Sequence, residues 1–367
     1  MESIYWVLSW ACHRRCKHCY DERFRPYVRQ DLERVLAEGE RAFPAIVRHL
    51  PRDMTWADAD GRRQPGRIIL AGGEVLLEGF RQRIFYPVLE AIDKKWGANR
   101  GVRIFVQTTG DLLEPEHLVG MLSRGVWSIA VSGFDEFHVG MTGASRERLR
   151  ERIDAMMARY GVTQTKLGAP ERHGSDGPFY LYFGAQPKSW IGELWPRGRA
   201  WANDLTTATY ETNFCSRHSG AKDFLNLSGA GAEVSIEPSG DVFPCCLKTK
   251  APLGNLVEEP LDEILESLRG EPVFEALNAG DPEVMGESFG VTRAEFAGLS
   301  KTTTPKGRPF RNPCIGCDRL FEARVGALLR ELRDHRRAVR DIERATGLRR
   351  LGLSRQVGRA ALGRATQ

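Results

Sequence analysis

The sequence predicts an α/β fold in which a parallel sheet forms a full or partial barrel. Short apolar runs that read as strands alternate with longer segments whose apolar residues recur at spacings of three and four, as on one face of a helix. This alternation is typical of a parallel sheet, because parallel neighbours need a crossover connection, usually a helix. A chain of 367 residues is long enough to build such a barrel and a second packed unit.

The individual elements follow from the order of these patterns. Apolar runs predict strands over 4–8, 67–71, 102–106, 127–131 and 179–183. Apolar periodicity predicts helices over 80–95, 115–124 and 145–160. A polar insert over 51–65, rich in Asp, Arg and Gly, predicts a surface loop.

The most informative motif is a group of cysteines directly behind the first strand. Cys12, Cys16 and Cys19 are spaced C-x3-C-x2-C. Three thiolates on one short loop can bind three corners of a four-iron four-sulfur cluster, which leaves one iron without a protein ligand. A structural zinc site normally has four protein ligands, usually from paired C-x2-C units. Zinc with His13 or His18 as the fourth ligand is the alternative for this loop.

The loop, together with Tyr20 behind it, resembles the cluster motif of the radical S-adenosylmethionine (radical SAM) superfamily. The resemblance implies that Cys12, Cys16 and Cys19 hold a [4Fe-4S] cluster whose open iron binds S-adenosylmethionine through its amino and carboxylate groups. In that family one electron from the cluster cleaves the sulfonium and yields a 5′-deoxyadenosyl radical. His18 stands where members usually carry an aromatic residue, and an imidazole can also pack flat against a nucleobase.

Gly72, Gly73 and Glu74 follow the predicted strand 67–71 and resemble the family's G-G-E motif. Glycines let the backbone approach a ligand closely, and a carboxylate or backbone carbonyls can accept hydrogen bonds from the methionine ammonium. Alone, the motif is also that of an ordinary strand-to-helix turn. Its position about fifty residues behind the cysteines makes it more specific. Val75 replaces the Pro that usually follows.

Three further segments at predicted strand ends resemble family motifs, and parallel barrels carry their working residues at such ends. Thr108 lies in a turn that resembles the family's T-N-G turn. Ser132 resembles a hydroxyl that meets the ribose or the methionine carboxylate, and Arg199, in a Gly-Arg-Ala segment, resembles an Arg that can reach a carboxylate. For each of these residues the alternative is a capped turn or a structural contact without a ligand.

A second cysteine system in the carboxyl-terminal part resembles the Twitch and SPASM extensions of radical SAM enzymes. Its layout implies an auxiliary [4Fe-4S] cluster held by Cys215, Cys245, Cys314 and Cys317. No cysteine follows Cys317, which favours the one-cluster Twitch form. Cys246 is not needed for this four-ligand pattern. It is either a buried thiol or a ligand that can take the place of Cys245. Zinc bound by the same four cysteines is the main alternative.

These patterns divide the chain into three parts. We expect a partial (β/α)6 radical SAM barrel over 1–208, a small α+β Twitch/SPASM-like cluster domain over 209–321 and a basic helical tail over 322–367. The formal charge is +5, and residues 318–367 alone carry 13 Arg and 6 acidic residues. A solvated helix explains this basic tail, and the alternative is a docking surface for an acidic leader peptide, a phosphorylated substrate or nucleic acid. Because no aromatic ladder accompanies the arginines, a nucleic-acid partner is not expected.

The resemblance spans residues 4–321 and implies a radical SAM enzyme that removes a hydrogen from an unactivated carbon. Members with this layout modify ribosomally made peptides, while others oxidise small sugars or aminocyclitols. We expect peptide maturation or natural-product biosynthesis. One alternative is a dehydrogenase of a small sugar or aminocyclitol, in which Asp135, Glu136 or His138 takes the hydroxyl proton. The other is a non-catalytic metal-binding interaction protein.

The expected partners are S-adenosylmethionine, the substrate and an electron donor such as flavodoxin or ferredoxin. The first strand begins at residue 4, without the leader-binding module of many peptide-modifying members. A separate recognition protein, or the Arg-rich tail, is therefore expected to bind a leader peptide. We find no signal peptide and no stretch near the roughly twenty apolar residues that cross a membrane. These features predict a cytoplasmic protein with reduced thiols.

Overall fold

The computed structural model describes residues 1–97, 101–140, 142–166, 177–186 and 192–346. Its strands are, in chain order, β1 (Ser3–Val7), β2 (Thr55–Ala57), β3 (Arg63–Ala71), β4 (Val102–Thr108), β5 (Val126–Ser132), β6 (Thr163–Gln164), β7 (Phe179–Phe183), β8 (Glu233–Ile236), β9 (Asp241–Phe243), β10 (Gly254–Asn255), β11 (Lys301–Thr303) and β12 (Pro309–Arg311). Its α-helices are α1 (Arg29–His49), α2 (Glu78–Phe80), α3 (Tyr86–Trp96), α4 (Pro115–Leu122), α5 (Gly143–Arg159), α6 (Gly198–Ala202), α7 (Leu261–Leu268), α8 (Pro272–Asn278), α9 (Arg293–Leu299), α10 (Pro313–Leu320) and α11 (Gly326–Thr346).

Among the described residues, seven consecutive parallel strands form most of a ten-stranded main sheet, in the spatial order β8-β1-β3-β4-β5-β7-β6. Every neighbouring pair in this row is parallel. Helices α1, α3, α4 and α5 lie in the connections between the parallel strands, which need a crossover segment to run in the same direction. The predicted α/β class with a parallel sheet is therefore confirmed. Across the described strands the hydrogen-bonded path runs from β10 to β6 without joining its ends, so the sheet is open rather than a closed barrel.

The predicted surface loop over 51–65 is wrong, because this segment forms a β-hairpin. Strand β2 pairs antiparallel with the first half of β3, with Thr55 opposite Pro65. Asp58 closes the turn between them: its Oδ1 accepts hydrogen bonds from the backbone N–H groups of Asp60 (3.1 Å) and Arg62 (2.8 Å). A side chain that bonds its own backbone two and four residues on is a turn signal. Residues 166–178 also have the sequence of a loop, and most of them lie outside the described residues.

Strand β8 lies between β1 and β9 in the sheet, although it follows β1 by more than two hundred residues along the chain. Ser3 pairs with Glu233 and Trp6 with Ile236 in a parallel register. The sequence prediction contained no strand here and placed a domain boundary at 208. That division remains a prediction, and the main sheet itself continues across it into β8, β9 and β10.

The two faces of β1 show how the sheet separates core from cavity. Ile4 and Trp6 are at most 1% exposed and belong to the main apolar core. Successive residues of a strand point to opposite faces, so Tyr5 lies on the other side, where it lines a cavity. Side chains from β1, β3, β4, β5 and β7 line this same cavity, so the sheet curves around it.

The basic helix α11 packs against α7, and most of its positive charge is paired with nearby acidic residues. Arg336, which is 6% exposed, donates two hydrogen bonds of 2.8 Å to Glu259 and one of 2.7 Å to Ser267. Arg340 donates to Glu259 and Glu263, both at 3.0 Å. These arginines are thus held inside an ion-pair network rather than presented to a partner. Residues 347–367 of the predicted tail lie outside the described residues.

None of the helices in the described ranges combines the length and the apolar character that crossing a bilayer requires.

We expect Arg336→Met to lower the free energy of unfolding by about 3 kcal/mol. The substitution removes one member of a buried ion pair and leaves the negative charge of Glu259 with one fewer positive partner. The matched control is Arg344→Met. Arg344 is 73% exposed and pairs with Asp341 on its own helix, so its loss should cost less than about 1 kcal/mol. Anaerobic urea unfolding followed by circular dichroism measures both changes. Equal stabilities of the two variants would show that the buried network does not hold α11 in place.

Candidate functional site

The cysteine loop opens into a cavity at the carboxyl ends of the parallel strands. Cys12, Cys16 and Cys19 follow β1, and all three line a cavity of about 190 Å³. Gly72 and Gly73, which follow β3, line the same cavity. The fold therefore brings the three predicted cluster ligands together with two of the predicted cofactor-binding residues.

The three thiols of the loop are free of disulfides; Cys12 and Cys16 are buried, and Cys19 is half-buried. Burial raises the pKa of Cys12 and of Cys19 to about 12 and also raises the pKa of Cys16. A thiol in such surroundings keeps its proton at neutral pH unless a metal displaces it. The loop therefore suits a bound metal group better than a free nucleophilic thiolate.

Arg199 holds the cysteine loop from behind. Its backbone N–H donates to the carbonyl of Cys19 (2.8 Å), and its Nε donates to the carbonyl of Cys16 (2.7 Å). The other guanidinium nitrogens donate to the carbonyls of Glu22 (3.1 Å) and Phe24 (2.7 Å). The side chain is 6% exposed and is not part of the cavity wall. In this structure Arg199 fixes the loop, and its predicted contact with a cofactor carboxylate stays a prediction.

Glu74 ties two strand ends together inside the protein. One carboxylate oxygen accepts hydrogen bonds from Thr108 Oγ1 (2.7 Å) and the Leu76 N–H (3.0 Å). The other accepts from the N–H (2.7 Å) and Oγ1 (2.6 Å) of Thr109. Glu74 and Thr108, both predicted to bind the cofactor, are fully buried and bind each other. In the turn after β4 it is Thr109 that lines the cavity. Because the Glu74 carboxylate is already hydrogen-bonded, the backbone of Gly72 and Gly73 is the more available acceptor for a cofactor ammonium group at this motif.

Ser132 and His18, two more predicted cofactor-binding residues, do line the cavity. The Ser132 hydroxyl donates to the carbonyl of Thr108 (3.2 Å) and keeps its oxygen lone pairs as acceptors. Burial and the neighbouring His138 lower the pKa of His18 to about 4, so its ring is neutral at physiological pH. Its Nδ1 has no hydrogen-bond partner among the described residues. A neutral planar ring beside the thiols fits the predicted packing against an adenine.

Asp135 and His138, the predicted catalytic pair, play unequal parts. His138 lines the cavity, whereas Asp135 does not and its side chain is fully buried. Asp135 accepts hydrogen bonds from His138 Nδ1 (2.8 Å) and from the N–H groups of His138 (3.1 Å), Phe137 (2.9 Å) and Ala185 (2.9 Å). Burial alone raises the pKa of Asp135, but these bonds and the nearby histidines hold it below its usual range. Asp135 is therefore placed to orient His138, whose Nε2 is the atom available for proton transfer.

A second, smaller cavity of about 30 Å³ lies at the carboxyl-terminal cysteines. It is lined by the four predicted auxiliary ligands, Cys215, Cys245, Cys314 and Cys317. Burial raises the pKa of all four thiols. The fold thus brings these distant cysteines to one place, including Cys215, which precedes Cys245 by 30 residues in the sequence.

Two asparagine side chains fix the backbone at two of these ligands, Cys215 and Cys314. Asn213 Oδ1 accepts a hydrogen bond from the N–H of Cys215 (2.9 Å), and Asn312 Oδ1 accepts one from the N–H of Cys314 (3.0 Å). Asn312 is the N-cap of α10, so the C-x2-C pair begins that helix. Cys314 and Cys317 are three residues apart on α10 and therefore lie on one face of it.

Cys246 lies in the wall between the two cavities. It lines both of them, as do His218 and Ser219, and its N–H donates to the Ser219 carbonyl (3.0 Å). A single layer of residues therefore separates the two cysteine systems. The sequence indicated only that Cys246 was surplus to the four-ligand pattern.

Sequence reasoning missed the side chains that point from the strands into the larger cavity. Tyr5 Oη lies 3.4 Å from Tyr20 Oη and donates to Gln107 Oε1 (3.3 Å). Arg67 and Phe105 line the cavity as well. The available signal was the period-two alternation of β1, β3 and β4, which selects these positions once the inner face of the sheet is known.

Residues 229–282 match the SPASM family model, described as an iron-sulfur cluster-binding domain. The matched segment includes Cys245 and Cys246 and the strands β8 to β10. The match confirms the prediction of a SPASM-like cluster domain and favours iron and sulfur over zinc in the second cavity. The donor set agrees, because buried thiolates are the usual protein ligands of such clusters. No curated protein sequence matches the chain.

Solved structures that are similar to this chain include BtrN in complex with AdoMet and 2-DOIA, with 14% identity, coverage of 76% of this chain and 88% of BtrN, and a TM-score of 0.39. Native anSMEcpe with bound AdoMet has 13% identity, coverage of 72% and 80%, and a TM-score of 0.39. Streptococcus suis SuiB bound to precursor peptide SuiA has 11% identity, coverage of 76% and 66%, and a TM-score of 0.28. By the family match, residues 229–282 carry a SPASM-type iron-sulfur cluster-binding domain, and the three-cysteine loop with its Gly-Gly-Glu partner resembles the cluster motif of the radical SAM superfamily.

Proposed function

We propose that this protein binds a [4Fe-4S] cluster through Cys12, Cys16 and Cys19, binds S-adenosylmethionine beside it, and removes a hydrogen atom from an unactivated carbon of its substrate. The observation that carries the proposal is the shared cavity, in which the three thiols face the Gly72-Gly73 backbone. When bound, the cluster supplies one electron that cleaves S-adenosylmethionine to the 5′-deoxyadenosyl radical.

The residues around the cavity have distinct proposed roles toward S-adenosylmethionine. The backbone at Gly72 and Gly73 accepts from the ammonium group, and the Ser132 hydroxyl bonds the ribose or the carboxylate. The neutral ring of His18 packs against the adenine. Thr109 extends this polar wall, since its side chain lines the cavity beside the glycines.

For the substrate we propose first a peptide or related natural-product precursor. Beyond the thiols, the cavity has aromatic walls from Tyr5, Phe105 and Phe183, with Gln107 and Arg67 as polar groups. Such a mixture suits one side chain of a larger molecule, because apolar walls bind its stem and a few polar groups orient it. The arginines of α11 that face α7 are paired with glutamates, so a separate protein remains the proposed leader-binding partner.

A second candidate is oxidation of a small alcohol. It is favoured by His138, which lines the cavity with its Nδ1 held by Asp135. In this case His138 Nε2 takes the hydroxyl proton when the neighbouring carbon has lost its hydrogen. The hydrogen atom would go to the 5′-deoxyadenosyl radical, the proton to His138 and the remaining electron to the proposed auxiliary cluster, so that the substrate leaves as a carbonyl compound. Product analysis with a peptide and with an aminocyclitol separates the two candidates.

The second cavity is proposed to hold an auxiliary [4Fe-4S] cluster on Cys215, Cys245, Cys314 and Cys317. Its place behind Cys246 supports a role in accepting an electron from the substrate side. Reduction of the first cluster needs a low-potential donor such as flavodoxin or ferredoxin. All eight cysteines are free, which suits a reducing compartment, and we propose the cytoplasm.

We expect the anaerobically reconstituted protein to bind about eight irons per chain, the content of two four-iron clusters, and to form 5′-deoxyadenosine when reduced in the presence of S-adenosylmethionine. Cys16→Ala should remain folded, bind about four irons and form no 5′-deoxyadenosine, because only the first cluster loses a ligand. Iron analysis and mass spectrometry give both quantities.

Cys246→Ala is the matched control, since Cys246 lines the same cavity without belonging to the loop. It should keep both clusters and S-adenosylmethionine cleavage. A folded Cys16→Ala protein with undiminished cleavage would falsify the assignment of this loop.

Gly73→Ala should displace the cysteine loop. A Cβ at position 73 would lie 2.1 Å from the carbonyl oxygen of Ala11 and 2.6 Å from Cβ of Cys12, and backbone at that distance has to move. We expect the variant to lose at least half of its iron and its S-adenosylmethionine cleavage activity to fall at least tenfold, while the auxiliary cluster remains bound.

Gly79→Ala is the control for this substitution, because a Cβ there makes only an ordinary contact of 3.5 Å with Leu36 Cδ1. Iron content and the absorbance of the reconstituted clusters report on both variants. Equal iron in the two variants would mean that the loop does not depend on the close approach at Gly73.

A further inference from the structure

Arg197 lies at the second cavity, just before the short helix α6. Its side chain, 15% exposed, is part of the wall that the auxiliary cysteines form. One terminal nitrogen donates to Asp318 Oδ1 (2.7 Å) and to the carbonyl of Cys314 (3.3 Å). A guanidinium is thereby fixed beside the four thiols by contacts to the same helix that carries two of them.

The neighbouring residues of Arg197 reach the other cysteine system. Gly198 has φ +51°, and a Cβ there would lie 2.5 Å from the carbonyl oxygen of Cys19. Arg199 holds the carbonyls of Cys16 and Cys19, as described above. The segment Arg197-Gly198-Arg199 therefore contacts both cysteine systems, one with each arginine.

The other cations at the second cavity are balanced by acids that lie elsewhere. Lys248 is paired with Asp21 and Glu237, both at 2.7 Å. Arg217 is paired with Glu193. Arg197 differs from both, because its partner Asp318 belongs to the helix that carries Cys314 and Cys317, and its guanidinium also donates to the Cys314 carbonyl.

We infer that Arg197 is a positioning and charge-balancing residue of the auxiliary cluster, which makes that cluster easier to reduce. The inference rests on the proposed auxiliary [4Fe-4S] cluster. With four thiolates the oxidised cluster carries a net charge of about −2, and one electron from a reductant takes it to about −3 with no proton transferred. A fixed guanidinium stabilises the more negative state more strongly, and the interaction is large where water is excluded.

Arg197→Gln removes this charge and should lower the equilibrium constant for reduction of the auxiliary cluster at least tenfold, a shift of about 59 mV for one electron. Asp318→Asn removes the opposing charge and should shift the potential upward. Arg197→Lys keeps the charge and should stay within threefold of the wild type. The measurement is a dithionite titration of the full-length reconstituted protein, followed by electron paramagnetic resonance. S-adenosylmethionine perturbs the signal of the first cluster only, which distinguishes the two.

Arg319→Gln is the matched control. Arg319 is on the same helix as Cys314 and Cys317, but its guanidinium donates to the carbonyls of Leu299 (2.7 Å) and Lys301 (2.8 Å) and is not part of the cavity wall. This variant should keep the wild-type potential.

The possible results separate the inference from the function on which it rests. A wild-type protein without iron at the second cysteine set overturns the auxiliary cluster and, with it, this inference. An intact auxiliary cluster whose potential is the same in Arg197→Gln and in the wild type overturns the role of Arg197 alone. If Arg197→Gln does not hold its cluster, Asp318→Asn decides: an upward shift supports the inference, and an unchanged potential overturns it.

Discussion

The close contact between the cysteine loop and the Gly72-Gly73-Glu74 turn is the constraint on which the larger site depends. The N–H of Gly73 donates to the carbonyl of Ser9 (3.1 Å), and the N–H of Glu74 donates to that of Ala11 (3.0 Å). These bonds join the chain after β1 to the chain after β3, at the edge where parallel strands end. Because Gly73 has no side chain, the two backbones can meet and the thiols can face the cavity. Glu74 then continues the connection to the turn after β4.

The two cysteine systems are built by different means but share their supports. The first is a loop between a strand and a helix, fixed by backbone contacts and by Arg199. The second collects ligands from a 3₁₀ turn, a hairpin and α10. The segment Arg197-Gly198-Arg199 connects the two through hydrogen bonds at both sites, and Cys246 lies in the wall that both cavities share. A change at either site can therefore reach the other through contiguous, buried contacts.

The sequence supported some of these features better than others. Local motifs predicted the three-cysteine loop, the glycine turn and the parallel strands β1, β3, β4, β5 and β7, because each depends on spacing within a short segment. It did not predict β8, since a strand of four residues has too little periodicity to be recognised and its partner β1 lies far away in the sequence. Arg199 and Glu74 looked like ligand contacts because their residue types suit that role. Only the fold shows that their polar atoms are already used by neighbouring backbone and side chains.

The position of β8 has a consequence for how the chain folds during synthesis. Strand β1 needs β3 on one side and β8 on the other, and β8 leaves the ribosome about 230 residues later. At synthesis rates of 5–20 residues per second, one edge of β1 stays unpaired for roughly 10 to 50 s. An exposed strand edge can pair with other chains. The nascent protein therefore passes through a vulnerable interval in which chaperones, or rapid covering by other segments, decide how much of it reaches the native state.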